Sequence, residues 1–378
     1  MFTRNRLASA LLAALLATGA GTALAEPDPQ RSVKVNLPAD SPVSLLSSEW
    51  GESRSSEQGS AQVLQLNTAL SLKNTSNRRI RAITWMVQSH EATLGGRASV
   101  TKASLDVGPG ETFPLRIDLR LLRPVALAAS GPAVEIALDG VLFDDLGFSG
   151  PNKLDSRRAM VAFEMEAQRD RKHFLQVLRA QGPEALRQEC VASLNRQSEI
   201  PRVDVQLARG RVSAVDAGKP AEFAFLRFPD APVEPVSGMA HLAGAEARAP
   251  KLELVNRSQR AVSYVEVGWI VKDARGRQFL GGAVPARTSI APGAHAQVLE
   301  TASLRFADPG GAPVSIDSMT GYVSQVGFAD NTVWIPQRDA RLEKMIAPSA
   351  EEQRLTGIYH KKGLRALIEE LKKFGAAQ

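Results

Sequence analysis

The stretch "NTSNRRIRAITWMV" runs from Asn74 to Val87, and "NRSQRAVSYVEVGWIV" runs from Asn256 to Val271. Each reads as a turn, then an alternating strand, then a tryptophan. Asn74-Thr75-Ser76-Asn77 and Asn256-Arg257-Ser258-Gln259 carry side chains suited to bonding their own backbone in turns. Trp85 shares a strand face with Ile83 and Val87, and Trp269 shares one with Val265, Val267 and Val271. Both rings are therefore expected as core anchors rather than ligand-stacking aromatics.

Other landmarks repeat in the same order. Leu94-Gly95-Gly96 is matched by Leu280-Gly281-Gly282, and Pro109-Gly110 by Pro292-Gly293. "VEIALDGVLFDD" from Val134 answers "VSIDSMTGYVSQVGFAD" from Val314, and "VKVNL" at Val33 loosely answers "VDVQL" at Val203. The pattern predicts an internal duplication. Within each copy the period is that of strands. Leu64, Leu66, Leu70 and Leu72 share one side of a run; Phe113, Leu115, Ile117, Leu119 and Leu121 alternate with Pro114, Arg116, Asp118 and Arg120. Short strands with repeated turns predict a mostly β chain: two antiparallel immunoglobulin-like β-sandwiches over residues 30–154 and 200–340.

The pattern L-x-L-x-N-x-S…W-x-V…D-x-x-G…G…I-x-P-G resembles secreted bacterial immunoglobulin-like sandwiches of the FxLYD-like kind. The resemblance covers roughly residues 30–150 and 200–340 and rests on turns and core positions. It implies a fold and an extracytoplasmic compartment; no catalytic residues come with it. The inter-sheet disulfide of antibody domains is absent, since Cys190 is the single cysteine.

Two segments change to helical spacing. Residues 155–198 are expected as a helical connector, with Met160, Phe163 and Ala167, then Phe174 and Leu178, on one stripe that Arg169 to Lys172 interrupt. Gly182-Pro183 restarts a second helix carrying Leu186, Cys190 and Leu194. At about 37 Å if fully helical, residues 156–180 outreach one sandwich edge, so the connector is expected to join the sandwiches and set their angle. Residues 349–374 are expected as a C-terminal amphipathic helix, with Ser349 and Glu352 at capping-box spacing and Leu364, Leu367, Ile368, Leu371 and Phe374 on its apolar face. That face either packs on the second sandwich or docks a partner or a membrane surface, the last weakened by Glu369 and Glu370.

Residues 1–25 read as a signal peptide: Arg4 and Arg6, a short apolar run, then Ala23-Leu24-Ala25. No later segment approaches the ~20 apolar residues of a membrane span, so the mature chain is expected to be exported, periplasmic or extracellular, without a transmembrane segment. The formal charge of +6 and pI near 9.5 come without interleaved aromatics, which argues against nucleic-acid binding.

Chemistry-bearing motifs are sparse. His90, His173, His241, His295 and His360 show no metal-ligand spacing, and nucleotide or nucleophile-elbow motifs are absent. No cofactor, metal or catalytic residue is expected. Asp144-Asp145 reads as a turn beyond a strand, with acid/base chemistry as the alternative. Cys190 reads as a buried thiol. The candidate binding residues are Trp50 and Trp334 as contact aromatics, and Arg116 and Arg120 as an anion-binding pair, against cross-strand charge pairing with Asp118. The leading expectation is a non-enzymatic interaction or scaffold protein of the bacterial envelope, whose partner is another envelope or secreted protein. The alternatives are a glycan- or small-ligand-binding module and a hydrolase with an unrecognised site.

Overall fold

The computed structural model describes residues 33–49, 54–89, 97–124, 134–209, 218–286, 288–299, 302–339, 342 and 345–375. The expected signal peptide and Trp50 lie outside these residues. The chain is mostly β, with a long internal helix and a C-terminal one.

The first unit holds β1 (Val33–Asn36), β2 (Val43–Glu49), β3 (Arg54–Gln58), β4 (Ala61–Asn74), β5 (Ile80–Ser89), β6 (Arg97–Lys102), β7 (Thr112–Pro124), β8 (Val134–Phe143) and β9 (Phe148–Ser149). One sheet runs β1-β8-β5-β6, with β9 on β8; the other is built on β4, which pairs with β2, β3 and β7. Both sheets face one core containing Leu72, Trp85, Phe113, Ile117, Ile136 and Val141. On β7 the alternation is as read: Phe113, Leu115 and Ile117 are buried while Pro114, Arg116, Asp118 and Arg120 are exposed.

The second unit holds β10 (Arg202–Arg209), β11 (Lys219–Glu222), β12 (Ala224–Phe225), β13 (Val233–Ala243), β14 (Glu246–Asn256), β15 (Val262–Lys272), β16 (Gln278–Ala286), β17 (His295–Val298), β18 (Ala302–Ala307), β19 (Ser318–Phe328) and β20 (Val333–Trp334). Here the expectation of two separate antiparallel sheets needs correction. All these strands belong to one 11-stranded sheet. Strand β10 joins what would be two layers, pairing parallel with β16 and antiparallel with β18. The ends of the strand order, β11 and β12, are separated in sequence only by Phe223, so the sheet curls into a nearly closed barrel. Parallel pairs β1/β8 and β12/β19 also depart from a purely antiparallel plan. They identify β12, not the Val203 segment, as the counterpart of β1.

The repeated phrase is repeated atom by atom. Asn74 Nδ2 donates to the Arg78 carbonyl at 2.7 Å, and Asn256 Nδ2 to that of Arg260 at 2.7 Å. Nδ2 also reaches the carbonyls of Val107 at 3.2 Å and Ile290 at 3.0 Å, the residues that bridge to Ile80 and Val262 in the two units. Each Asn Oδ1 accepts from the backbone N–H and hydroxyl of the serine two residues on. Gly110 and Gly293 adopt φ of 77° and 71°, which favours glycine, and return an N–H to the asparagine carbonyl. Arg78 lies over Phe143 and pairs with Asp145; Arg260 lies over Phe328 and pairs with Asp330. Both tryptophans are fully buried, each with its indole N–H unpartnered. Asn74-Thr75-Ser76 and Asn256-Arg257-Ser258 match the N-x-Ser glycosylation pattern, but both asparagines are likewise fully buried, so the match is incidental.

Helix α1 (Ser156–Glu199) bends at Gly182 (φ 86°, ψ −179°) and α2 (Ala350–Gly375) bends at Gly363 (φ 81°, ψ 176°), conformations open essentially to glycine alone. Each folds back as a hairpin: His173 meets Glu189 across the first bend, and Arg354 meets Glu370 across the second. Aligned on their glycines, Phe174 matches Leu355, Leu186 matches Leu367, and Cys190 matches Leu371; all six are buried in one shared core. The contact Ser193–Glu352 is mirrored by Phe374–Arg171, as in an isologous pair. The C-terminal apolar face therefore packs internally, on α1 and not on the second β unit.

The first half of α1 lies between the two β units. Met160, Val161 and Ala162 pack with Ala82 and Leu142 on one side and Val333 and Ile335 on the other. Its stripe differs from the reading: Phe163 is exposed, and Glu164, Asp170 and Arg171 take buried positions beside Ala167 and Phe174. The charges that interrupt the apolar pattern continue the buried face, because they pair with each other and with α2.

Candidate functional site: a cleft between the units and the helical core

A cavity of about 480 Å³ opens where β5, the β8–β9 turn, α1, the segment after β20 and the end of α2 converge. Strand β5 supplies Arg81, the turn Asp144 and Leu146, and α2 Phe374. Helix α1 presents Glu164, Gln168, Arg171 and Leu175 at helical spacing, with Met165, Arg169 and Lys172 beside them. Ile335 and Gln337 close the side facing the second unit.

Its floor is a network of buried charge. Arg171 Nη2 donates to Glu164 Oε1 at 2.5 Å and Nη1 to Glu351 Oε1 at 3.4 Å. Arg81 Nη1 donates to Asp106 Oδ1 at 2.7 Å. The Phe374 ring receives the Arg171 guanidinium at 4.2 Å and that of Arg81 at 5.1 Å. Burial pushes the Glu164 carboxyl up, against the pull of Arg171 and Arg81. Behind the cavity, fully buried Asp170 accepts from Arg169 at 2.9 Å, from Arg338 at 3.2 Å and from the Ser349 hydroxyl. Ser349 Oγ in turn caps α2, accepting from Glu352 N–H at 3.1 Å. The Glu352 side chain turns to Ser193 and Arg196 instead of completing a reciprocal box.

The residues singled out in the sequence fall elsewhere. Arg116 and Arg120 are exposed on β7, opposite Ala69 and Gln65, with Asp118 opposite Asn67; neither arginine makes an ion pair among the described residues. Trp334 is partly buried, donating Nε1–H to Asp230 at 3.1 Å and meeting the Phe228 ring edge-on. Of the paired carboxylates only Asp144 lines the cavity. Asp145 turns to Arg78 and the Gly147 N–H, which hold its carboxyl below the usual range. None of the lining residues is a histidine, and no group of three metal-ligating side chains occurs among the described residues. Cys190 is fully buried, and desolvation pushes its thiol up to about 12. Arg81 and Arg171 were missed by motif reading, and Phe374 was read only as part of an apolar helix face; the charged break in the α1 stripe was the sequence signal for Arg171 alone.

No family model matches this sequence, and no curated protein matches it. Among solved structures, red sea bream transglutaminase aligns over 79% of this chain and 32% of its own, at 9% identity and TM-score 0.13. A Kluyveromyces marxianus β-glucosidase in complex with glucose aligns over 68% and 45%, at 9% identity and TM-score 0.14. A two-domain protein of unknown function from Bacteroides fragilis aligns over 73% and 92%, at 8% identity and TM-score 0.13. The chain thus spans less than half the length of the first two. At these TM-scores the likenesses carry no argument about fold or activity. No helix among the described residues is long and apolar enough to cross a membrane.

Proposed function

We propose that this is an exported, non-enzymatic binding protein in which two immunoglobulin-like units, derived by duplication, hold a small ligand in the cleft between them. The observation that carries the reading is the cavity itself. It lies where both units and both helices meet, and its volume falls in the range of small-molecule sites. The lining combines apolar side chains with a few fixed charges, the composition such sites need. Export rests on the N-terminal reading of Arg4, Arg6 and the apolar run after them. The test is a thermal-shift panel of neutral sugars, amino acids, short carboxylates and phosphate esters on the full-length protein. A stabilising compound is expected, and Gln168→Trp, which fills the cleft from an exposed position, should abolish its effect. A hit indifferent to that variant would move the site elsewhere; an entirely silent panel would remove the reading.

A second reading, a scaffold for a partner protein, is favoured by one repeated feature. Leu46 and Val236 are both exposed, and each sits at a bulge, between Leu45 and Ser47 on β2 and between Pro235 and Ser237 on β13. Strand β2 is a sheet edge and the β13 bulge lies outside the stretch of β13 that pairs with β11; bulges there commonly block strand addition, but two matched apolar side chains also suit a bivalent contact. Pull-downs from envelope extract with Leu46→Ser/Val236→Ser should lose a partner if this reading holds; an unchanged partner set counts against it.

A further inference from the structure

This inference rests on the reading of the cleft as a ligand site and adds the chemical class of ligand. Four cations line the cavity, Arg81, Arg169, Arg171 and Lys172, against two carboxylates, Asp144 and Glu164. Much of the positive charge is answered internally: Arg169 by Asp170, Arg171 by Glu164 and Glu351, and Arg81 Nη1 by Asp106. Two donors are left over. Arg81 is only 5% exposed, yet its buried Nε has no hydrogen-bond partner; Glu164 Oε1 stands 3.9 Å away, beyond hydrogen-bond reach. Lys172 is exposed at the rim and makes no ion pair among the described residues. Buried polar groups in folded proteins are nearly always paired; Arg81 lines the cavity with a guanidinium that is only partly satisfied, its Nε sealed against Glu164, and Lys172 stands at the rim with its charge unanswered.

The remaining wall is apolar, formed by Leu146, Met165, Leu175, Ile335 and Phe374. The volume of about 480 Å³ would hold on the order of sixteen waters at ~30 Å³ each, ample room for a chain of six carbons with a charged head. We propose that the cleft binds a small organic oxyanion, a carboxylate or phosphate monoester on a short apolar chain, its head at Arg81 and Lys172 and its chain along Leu146, Leu175 and Ile335. A bare inorganic anion would leave the apolar wall wet, and a neutral chain would leave the Lys172 charge unanswered.

The test is isothermal titration of the full-length protein with sodium hexanoate, hexyl phosphate, inorganic phosphate and hexanol. Hexanoate or hexyl phosphate should bind at one site per chain, and the tighter of the two identifies the head group. Inorganic phosphate and hexanol should each bind at least roughly tenfold more weakly, the size of one charge contact. Lys172→Glu, a change at an exposed side chain, should weaken the anion about tenfold and leave hexanol unaffected. Hexanol binding as tightly as hexanoate, or indifference to Lys172→Glu, would overturn the oxyanion class while leaving the cleft as a ligand site. Silence from all four overturns the inference, and the reading of the cleft survives it only if a compound of the broader panel is lost with Gln168→Trp.

Discussion

Substituting Asp170 by alanine probes the contact that locks the helical core to the second unit. Asp170 is fully buried, and its two carboxylate oxygens hold Arg169, Arg338 and Ser349, residues drawn from α1, the segment after β20 and the cap of α2. Removing one partner of a buried ion pair typically costs about 3–5 kcal/mol, because the charge left behind stays desolvated. Here the stranded cations keep other acceptors. Arg169 retains the Pro336 carbonyl at 2.7 Å, and Arg338 retains Glu352 at 3.3 Å. The expected loss is therefore near the lower end, roughly 3 kcal/mol. Urea denaturation followed by the helical circular-dichroism band measures it. The control is Asp170→Leu/Arg338→Met, which removes the pair and fills the space. It should recover much of the loss, since an apolar replacement of a buried pair is often neutral or stabilising, and adding the single variants Asp170→Leu and Arg338→Met closes the cycle that gives the coupling. A value for Asp170→Ala within about 0.5 kcal/mol of the parent, the range of an ordinary surface change, would refute the assignment of Asp170 as the tie from α1 to the segment after β20 and the cap of α2.

Gly182→Ala and Gly363→Ala should each cost about 1–3 kcal/mol from backbone strain alone, because a Cβ at either site meets nothing within 4 Å; equal losses in denaturant titrations would support the matched bends. Trp269→Ala should cost about 3–5 kcal/mol, and Trp269→Phe less than its volume suggests, since it also removes an unpaired indole N–H. Burial against Asp170 and Glu266, only partly offset by Arg169, pushes the Glu166 carboxyl from 4.5 up to about 7. The folded state thus holds this proton more tightly than the unfolded chain, so stability should fall as pH rises from about 4.5 through 7, by at most roughly 3 kcal/mol. Glu166→Gln should flatten that slope in a pH series of thermal melts; an unchanged slope refutes the assignment. Cys190 should resist thiol reagents in the native protein and react on unfolding, as a buried thiol raised to about 12 predicts.

What was legible in the sequence is what each residue settles locally. Asn74 and Asn256 announce their turns because the bonds they make lie within a few residues, and Trp85 and Trp269 announce their burial through alternation with aliphatics. The failures share a cause in long-range pairing. Val33 and Val203 carry the same strand pattern, but alternation gives a strand's faces and not its neighbours. So nothing at Val203 foretold that β10 would bridge β16 and β18 and close the second sheet. The α1 stripe failed for a related reason. A charge in a helical pattern reads as solvent-facing, and burial of Arg171 is made tolerable by Glu164 two turns away on α1 together with Glu351 of α2. Arg81 and Phe374 stand at opposite ends of the chain's first and last elements of regular structure around the cleft, so no motif could have joined them.

The symmetry of the chain and the position of the cleft are linked. Matched at their bend glycines, α1 and α2 run in step from Arg169 and Ala350 onward, but α1 extends back to Ser156 with no equivalent in α2. That unmatched stretch begins at an anchor on β8: buried Asp139 accepts the Leu154 N–H at 3.1 Å and the Ser156 hydroxyl at 2.5 Å. It then passes between the units and delivers Glu164, Met165 and Gln168 to the cavity wall. A perfect duplication would make two equivalent clefts or none. The extension breaks the equivalence: it packs between the units and lines the larger cavity with Glu164, Met165 and Gln168, while a smaller cavity of about 260 Å³ lies along its first turns beside Arg157, Arg158, Tyr264 and Phe328. The two cavities are therefore unequal, about 480 Å³ against about 260 Å³, and under the proposed function a titration stoichiometry of one per chain is the outcome this asymmetry predicts.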